Sequence, residues 1–374
     1  MIYFDNAATG GRKPDCVLDA VQACIRVCAN PGRSGHKLSL SCANMVQECR
    51  DTLNEYFQGY GYDRCIFTKN CTEALNVALF GVLQKGDHVI VSCMEHNSVL
   101  RPLHELQRQG VITYDVCPLG MGGIDPKTFS SLLKPNTRMA VVTACSNVTG
   151  RMPDLNAIRQ MLPKRVLLVV DGAQGAGHGR IDMQKTGIDA LALAGHKGLF
   201  GIQGSGALLF SERMEPNPIL FGGTGSMSIL LETPDFYPDR LEAGTLAFPA
   251  IVSLLEGVRY LKRNEREIFK KLYALTEYFL GGLHQLSAYE VYSAPNTAGI
   301  VAFRHKRKES ENIASLLSQE YDIAVRGGLH CAPLMHESLG TLDFGLVRVS
   351  FSHFNSFLEV DALLNALSAI EKCV

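Results

Sequence analysis

The chain has 374 residues, 46% of them hydrophobic, which is enough to bury a large core and to build a smaller second domain. Its 36 basic and 37 acidic side chains give a net charge of −1, so nothing in the composition indicates a surface that binds nucleic acid or anionic membranes. Residues 1–6 lack the features of a signal peptide, and no apolar stretch reaches the roughly eighteen residues of a membrane span, so we expect a cytoplasmic protein.

The first predicted elements are helices. Apolar residues recur at helical spacing over residues 14–28 and 38–57, and the polar, glycine-containing segment 30–37 separates the two. The twelve cysteines are irregularly spaced and include no Cys-x-x-Cys pair. They predict reduced thiols, and we predict no metal site.

A different pattern begins at residue 64, where short apolar runs alternate with helical stretches. This alternation predicts an α/β fold whose mostly parallel sheet is covered by helices on both faces. The predicted strands are residues 65–68, 87–91, 111–116, 139–143, 166–170 and 190–193, with 207–210 as an added edge strand.

The last third of the chain predicts a long loop followed by a smaller unit. Residues 221–249 are rich in glycine and proline, as is typical of loops that carry sites or interfaces. A helical pattern over 250–283 then connects to strands at 298–303, 323–325 and 347–351 and to helices at 309–320 and 356–373. We therefore predict a large domain over residues 14–250 and a small domain formed by residues 1–13 and 251–374.

Two side chains at the ends of predicted strands suggest a cofactor site. Lys197 lies just beyond a strand, on the small-residue turn Ala194-Gly195-His196, where an amine can be shielded from water and form a Schiff base. Asp171 ends the preceding apolar strand. An amine and an acid at neighbouring strand ends of a parallel sheet indicate pyridoxal 5'-phosphate, whose pyridinium nitrogen needs a carboxylate partner.

Other residues could complete such a site. Cys71 and Thr72 follow a strand and begin a helix, where backbone amides and a hydroxyl can hold phosphate. His96 also follows a strand and could stack on the cofactor ring. Each of these assignments has a purely structural alternative. Cys71 and Thr72 also fit a simple helix cap, and a loop histidine such as His96 is often structural.

Taken together, these motifs resemble the class V aminotransferase family of fold-type-I pyridoxal phosphate enzymes, and within it the cysteine desulfurases and selenocysteine lyases. The resemblance is carried by His96, Asp171-Gly-Ala-Gln174, Gly195-His196-Lys197, the opening Tyr-Phe-Asp-Asn-Ala-Ala-Thr at residues 3–9 and Arg33-Ser34-Gly35-His36. It extends over essentially the whole chain.

The resemblance implies roles for these residues. Lys197 would carry the Schiff base and shuttle protons, Asp171 would pair with the pyridinium, Gln174 would donate to the ring hydroxyl and His96 would stack on the ring. Phosphate would contact Cys71, Thr72 and His196, and also Thr245 from the other subunit of a homodimer. The family often has a hydroxyl residue where this chain has Ala194 and threonine where it has Cys71, so two hydroxyl donors are missing.

Cys331 distinguishes the subgroup. It lies in the glycine-rich loop Arg326-Gly-Gly-Leu-His330-Cys331-Ala-Pro, where His330 and Arg326 predict an electropositive setting that favours thiolate. The loop resembles the group II desulfurase pattern, in which this cysteine attacks the substrate sulfur. The resemblance also implies that Arg348 and Asn147 bind the substrate carboxylate. It implies further that His36 and Arg326 contact the substrate. For Arg348, the alternative is a purely structural role in which its partner is another residue of the protein.

The implied activity is conversion of L-cysteine to L-alanine, with the sulfur held as a persulfide on Cys331 and then passed to an acceptor protein. Three alternatives remain open at this stage: a selenocysteine lyase, another lyase or aminotransferase of the same family, and a non-catalytic scaffold or regulatory binding protein. The sequence leaves the sulfur acceptor open as well.

Overall fold

The computed structural model describes residues 1–120 and 123–372. The strands, numbered in chain order, are β1 Ile2–Tyr3, β2 Cys65–Thr68, β3 Asp87–Ser92, β4 Ile112–Cys117, β5 Thr137–Thr143, β6 Leu167–Asp171, β7 Ala190–Ala194, β8 Gly206–Phe210, β9 Tyr289–Val291, β10 Ile300–His305, β11 Ile323–Ala324 and β12 Val347–Ser350. The helices are α1 Asp15–Arg26, α2 Lys37–Phe57, α3 Cys71–Phe80, α4 Asn97–Arg108, α5 Pro126–Ser131, α6 Leu155–Met161, α7 Met183–Thr186, α8 Phe248–Leu283, α9 Ser310–Tyr321, α10 Pro333–Leu339 and α11 Phe357–Lys372, with a 3₁₀ turn at Tyr62–Arg64.

Seven strands form the main sheet in the order β2-β8-β7-β6-β5-β3-β4. Strands β3 to β7 are parallel to one another, and β8 runs antiparallel to both β2 and β7. The predicted α/β fold with a mostly parallel seven-stranded sheet is therefore confirmed.

The predicted edge position of β8 is wrong. Leu208 pairs with Ile66 of β2 on one side and with Ala192 of β7 on the other, so β8 lies inside the sheet. All five residues of β8 are buried, and an apolar strand of this kind is more stable with hydrogen-bonded neighbours on both sides. The edge is taken instead by β2, the strand that precedes the parallel series in the chain.

The sheet has a core on each face because successive side chains of a strand point in opposite directions. In β6, Leu168 and Val170 join the core that also contains residues of α2 and α8, whereas Leu167 and Val169 join the core of α3 and α4. A strand buried on both faces needs an almost unbroken apolar run, and Leu-Leu-Val-Val supplies it. The acid at the end of the strand is thus delivered to the carboxyl edge of the sheet.

Helix α8, 36 residues long, connects this sheet to the C-terminal part of the chain, where β12, β10 and β9 form an antiparallel sheet. The N-terminus joins the same part, because β1 pairs in parallel with β11. Helix α11 ends at Lys372, and residue 373, the last of the predicted terminal helix, lies outside the described residues. The domain boundary near residue 250 stays a prediction.

Residues 211–247, between β8 and α8, contain no helix or strand. The eleven cysteines in the described part of the chain are free thiols. Within residues 1–120 and 123–372, no set of three or more His, Cys, Asp or Glu side chains is grouped to hold a metal ion. None of the described helices has both the length and the apolar character that crossing a membrane requires.

Candidate active site

A cleft of about 500 Å³ lies at the carboxyl edge of the main sheet. The ends of β3, β5, β6 and β7 and the start of α3 surround it, as expected for a parallel sheet whose strand ends meet at one edge. It brings together eight of the residues predicted from the sequence: Cys71, Thr72, His96, Asn147, Asp171, Gln174, His196 and Lys197.

Lys197 and Asp171 both line the cleft. Strand β6 ends at Asp171, which pairs with Ala192 of the neighbouring β7, and Lys197 follows three residues after β7. Burial lowers the pKa of Lys197, and the Asp171 carboxylate opposes that shift. The amine is therefore more easily deprotonated than an ordinary lysine, as a nucleophile or general base requires.

The Asp171 carboxylate is held in place by two donors. Its Oδ1 accepts hydrogen bonds from the backbone N–H of Ala173 at 2.8 Å and from the Cys71 thiol at 3.3 Å. Burial and the nearby carboxylate raise the pKa of the Cys71 thiol well above its ordinary value, so Cys71 remains a neutral donor. The side chain of Cys71 thus contacts Asp171, whereas the resemblance implied a phosphate contact; its backbone amide lies at the N-terminus of α3.

Among the residues that the structure describes, two buried oxygen atoms in the cleft have no hydrogen-bond partner. Gln174 donates its Nε2 to the carbonyl of Ala7 at 2.8 Å, which leaves Oε1 unpaired. The Oδ1 of Asn147 is also unpaired. Because an unpaired buried acceptor is unfavourable, both atoms favour a bound group that carries hydrogen-bond donors. Gln174 therefore presents an acceptor where the resemblance implied a donor.

The two histidines of the cleft are neutral at neutral pH. Burial lowers the pKa of His96 to about 4 and that of His196 to about 4. Nδ1 of His96 caps α4 by accepting from the backbone N–H of Ser98 at 3.0 Å. Nδ1 of His196 contacts the Thr9 hydroxyl at 3.0 Å, so the N-terminal segment holds the lysine loop. A neutral ring suits stacking on a flat cofactor better than a charged and strongly hydrated one.

The loop that carries Cys331 is attached to the edge of this cleft. The Asn147 side chain donates from Nδ2 to the carbonyl of His330 at 2.7 Å, and the backbone N–H of Asn97 donates to the carbonyl of Cys331 at 2.8 Å. Cys331 is partly exposed, and the Arg326 guanidinium lies 3.9 Å from its sulfur. The structure thus brings together the two segments that the resemblance assigns to cofactor binding and to sulfur chemistry.

The electropositive setting predicted for Cys331 is only half present. His330 is buried and uses Nε2 to contact the carbonyl of Leu346 at 3.1 Å. Burial, together with the nearby Arg348, lowers the pKa of His330 well below its ordinary value. The ring is therefore neutral, and Arg326 is the charged group that remains beside the sulfur.

Arg348 has internal partners for both ends of its fork. One terminal nitrogen is ion-paired with Asp5 at 2.8 Å, and the other donates to the backbone carbonyl of Asn147 at 3.1 Å. The side chain is 1% exposed, and its Nε is buried without a partner. The structural role that the sequence left open is thus present, and a substrate carboxylate would have to compete with Asp5.

His36 and Thr245 lie outside the cleft. His36 is exposed and caps α2 through a 3.2 Å hydrogen bond from the backbone N–H of Ser39. Thr245 lines a separate cleft beside Lys69. The loops that carry these two residues meet, because Arg33 donates to the carbonyls of residues 223 and 244 at 2.9 and 2.8 Å.

Two acids beside the cleft were not singled out by sequence reasoning. Asp5 is the partner of Arg348. Glu95 is fully buried; its Oε1 accepts from the Ser92 hydroxyl and from the backbone N–H of Thr143, while its Oε2 has no partner. Burial raises the pKa of Glu95 to about 8. A glutamate three residues after a buried strand and directly before His96 was the available signal.

Known proteins resemble this chain over nearly its whole length. The model of the family described as aminotransferase class-V matches residues 2–363. A probable cysteine desulfurase from Methanothermobacter thermautotrophicus is 30% identical over 383 residues, covering 99% of this chain and 94% of the relative.

Solved structures of similar proteins have the same fold. The apo cysteine desulfurase from Thermococcus onnurineus superposes with a TM-score of 0.89 at 29% identity and covers 100% of this chain and 95% of its own. The cysteine desulfurase CsdA from Escherichia coli gives a TM-score of 0.88 at 28% identity with the same coverage. Since the family match spans nearly the whole length and includes every segment of the cleft, the chain belongs to the class-V aminotransferase family.

Proposed function

We propose that the chain is a cysteine desulfurase that uses pyridoxal 5'-phosphate, the cofactor of this family, to convert L-cysteine to L-alanine. The residues of the cleft fit that cofactor. Lys197 would bind it through its amine, Asp171 would pair with its ring nitrogen, and the start of α3 at Cys71 and Thr72 would hold its phosphate. The unpaired Oε1 of Gln174 supports a bound group at this position.

When bound, pyridoxal phosphate supplies an electron sink for the negative charge that develops at the substrate Cα. The chain supplies the proton transfers. The lowered pKa of Lys197 favours a neutral amine that can take the Cα proton and later return a proton to carbon. Neutral His96 adds no charge to the cleft that Asp171 and Lys197 line.

We propose that Cys331 removes the sulfur. Its thiolate attacks the sulfur of the substrate, an S–S bond forms, and the Cβ–S bond breaks with its electron pair remaining on carbon. The carbon takes up a proton, and alanine leaves. The balance is one thiol and one cysteine in, one persulfide and one alanine out. The Arg326 guanidinium lies 3.9 Å from the sulfur and can donate a hydrogen bond to it.

One observation carries this proposal. The loop of Cys331 is hydrogen-bonded to the cleft that contains Lys197, through the His330 carbonyl and Asn147 at 2.7 Å and through the Cys331 carbonyl and the backbone of Asn97 at 2.8 Å. A lyase that needed no nucleophile would gain nothing from a cysteine attached at this place. The names of the relatives support the same reaction.

The test is a product assay with L-cysteine. The unmodified protein should form alanine and, with a reductant present, sulfide. Cys331→Ser should lose both products and keep bound pyridoxal phosphate, whereas Lys197→Ala should lose the cofactor itself, measured by the absorbance that remains after gel filtration. Cys28→Ser changes an exposed thiol and serves as the matched control.

Full activity of Cys331→Ser on cysteine would rule out the persulfide step. A Cys331→Ser protein that turns over selenocysteine but not cysteine would favour the selenocysteine lyase alternative, because selenium leaves carbon more easily than sulfur does.

The proposal includes a homodimer in which Thr245 reaches the phosphate in the other subunit. Its support is an exposed apolar segment in the same long loop, with Phe221 at 76%, Ile229 at 92% and Leu231 at 102% relative exposure. Apolar side chains exposed together are typical of an interface. The same proposal includes a sulfur-acceptor protein and a cytoplasmic location. It also includes a large domain of residues 14–250 and a small domain of residues 1–13 and 251–374.

A further inference from the structure

The backbone of the Cys331 loop has an unusual conformation. His330 has a φ of 51° and Cys331 a φ of 58°, so two consecutive residues with side chains occupy the left-handed region. Residues other than glycine are disfavoured in that region because their Cβ atom approaches the neighbouring carbonyl oxygen. Such a conformation persists only where surrounding contacts hold it, and it often marks a functional position.

Both residues are held through their carbonyl oxygens. The His330 carbonyl accepts from Nδ2 of Asn147, and the Cys331 carbonyl accepts from the backbone N–H of Asn97. Asn97 begins α4, and Asn147 lies in the segment after β5. Each anchor therefore comes from the carboxyl edge of the main sheet. The direction in which Cys331 points depends on how the loop is attached to that edge.

The Asn147 side chain is suited to this task. It is 7% exposed, and it projects from a turn that is fixed by two backbone hydrogen bonds to the Ser146 hydroxyl, both 3.2 Å long, from Val148 and Thr149. The contact with Arg348 is made by the backbone oxygen of Asn147, so the side-chain amide is free to serve the loop. Its Nδ2 donates to His330 while its Oδ1 has no partner.

We propose that Asn147 is a positioning residue for the nucleophile: its amide donor locks the left-handed backbone at His330 and thereby aims Cys331 at the cleft. The inference rests on the proposed function and deepens it, because the resemblance gives Asn147 a contact with substrate and the geometry gives it a bond to the nucleophile loop. The Nδ2 donor that a substrate carboxylate would need is already given to the His330 carbonyl, and the unpaired Oδ1 can only accept a hydrogen bond.

The donor can be removed on its own. Asn147→Asp keeps the shape and the Oδ1 acceptor but replaces the N–H donor to the His330 carbonyl with a second oxygen. Asn147→Ala removes the whole amide and adds no charge. Thr149→Val is the matched control, because the Thr149 hydroxyl is buried two residues away without a partner. Replacing it leaves the hydrogen bonding unchanged.

The readout is hydrogen exchange of the peptide that spans residues 326–333, measured on the purified protein without added cysteine. Three amides in this segment are hydrogen-bonded: Arg326 to the carbonyl of Arg348, Gly328 to the hydroxyl of Ser310 and Ala332 to the carbonyl of Leu329. Loss of a buried hydrogen bond should raise local opening, and hence exchange, about tenfold in both Asn147 variants, with no change in Thr149→Val. Exchange in the β6 peptide should stay constant in all three.

Exchange within twofold of the unmodified protein in both Asn147 variants would overturn the proposal, since the loop would then be held without this bond. A substrate contact alone would also leave exchange unchanged, because no substrate is present. If exchange accelerates while the unmodified protein forms no alanine from cysteine, the positioning role stands and the desulfurase proposal fails.

Discussion

The buried carboxyl group of Glu95 gives the sharpest prediction for this structure. It lies between β3 and the cleft, where burial disfavours its ionisation and the Asp171 carboxylate adds to that effect. Replacing Glu95 with glutamine removes the titration but keeps the oxygen that accepts from Ser92 and from the backbone N–H of Thr143.

The size of the effect on stability follows from the shift in the pKa of Glu95. Burial raises the pKa of Glu95 from 4.5 to about 8, so between these values the folded protein holds a proton that the unfolded chain has released. Stability from this group is therefore greatest below pH 4.5 and falls as pH rises towards 8, by about 1.4 kcal/mol per pH unit. Over the experimental window of pH 5.5 to 8.0 the loss is about 3 kcal/mol.

The assay is urea-induced unfolding of the unmodified protein and of Glu95→Gln at several pH values in that window. Glutamine has an extra N–H at the position of the unpaired Oε2, which costs about 1–3 kcal/mol, so the variant should be less stable at pH 5.5. The difference should shrink and then reverse as pH approaches 8.0. Glu320→Gln, on the exposed side of α9, controls for the loss of one carboxylate.

A constant stability difference between Glu95→Gln and the unmodified protein across the window would refute the reasoning. It would mean that Glu95 is ionised in the folded state and that water or a cation compensates its charge. Asp171 would then share the cleft with a second negative charge.

Two further predictions concern other parts of the chain. Arg50 and Glu242 form a buried ion pair at 2.7 Å, with side chains 4% and 7% exposed. Arg50→Ala should leave the Glu242 carboxylate buried without a cation and lower the free energy of unfolding by about 3–5 kcal/mol. Arg50→Met combined with Glu242→Gln should lose much less, and equal losses in urea unfolding would contradict this account. Aspartate at both Ile229 and Leu231, which are exposed, should convert the proposed dimer to monomers in sedimentation equilibrium. Leu358→Asp, on an exposed part of α11, is the control and should leave the mass of the dimer unchanged. If the variant at Ile229 and Leu231 also keeps the mass of the dimer, the interface lies elsewhere.

Much of the fold was predictable because its signals are local. The apolar runs of β6 and β7 and the helical spacing before residue 57 depend on neighbours within a few residues, and the structure has elements at those places. The site at the strand ends was predictable for the same reason, since parallel strands deliver their last residues to one edge. The family resemblance, carried by these motifs, is confirmed.

The remaining features depend on contacts between distant residues. The position of β8 between β2 and β7 depends on pairing with segments far apart in the chain, and a buried apolar strand of five residues has no local mark of an edge or an interior position. The neutral state of His330 follows from burial that a glycine-rich loop does not reveal.

By itself, the sequence determined which chemistry the chain can carry: an amine at Lys197, an acid at Asp171 and a thiol at Cys331, each at the end of an element that its own neighbours specify. The tertiary structure alone decided how these groups are held. Arg348 is bound by Asp5 from the other end of the chain, and the loop of Cys331 is bound by Asn147. Partners and burial set pKa values and orientation, and both arise only when segments hundreds of residues apart pack together.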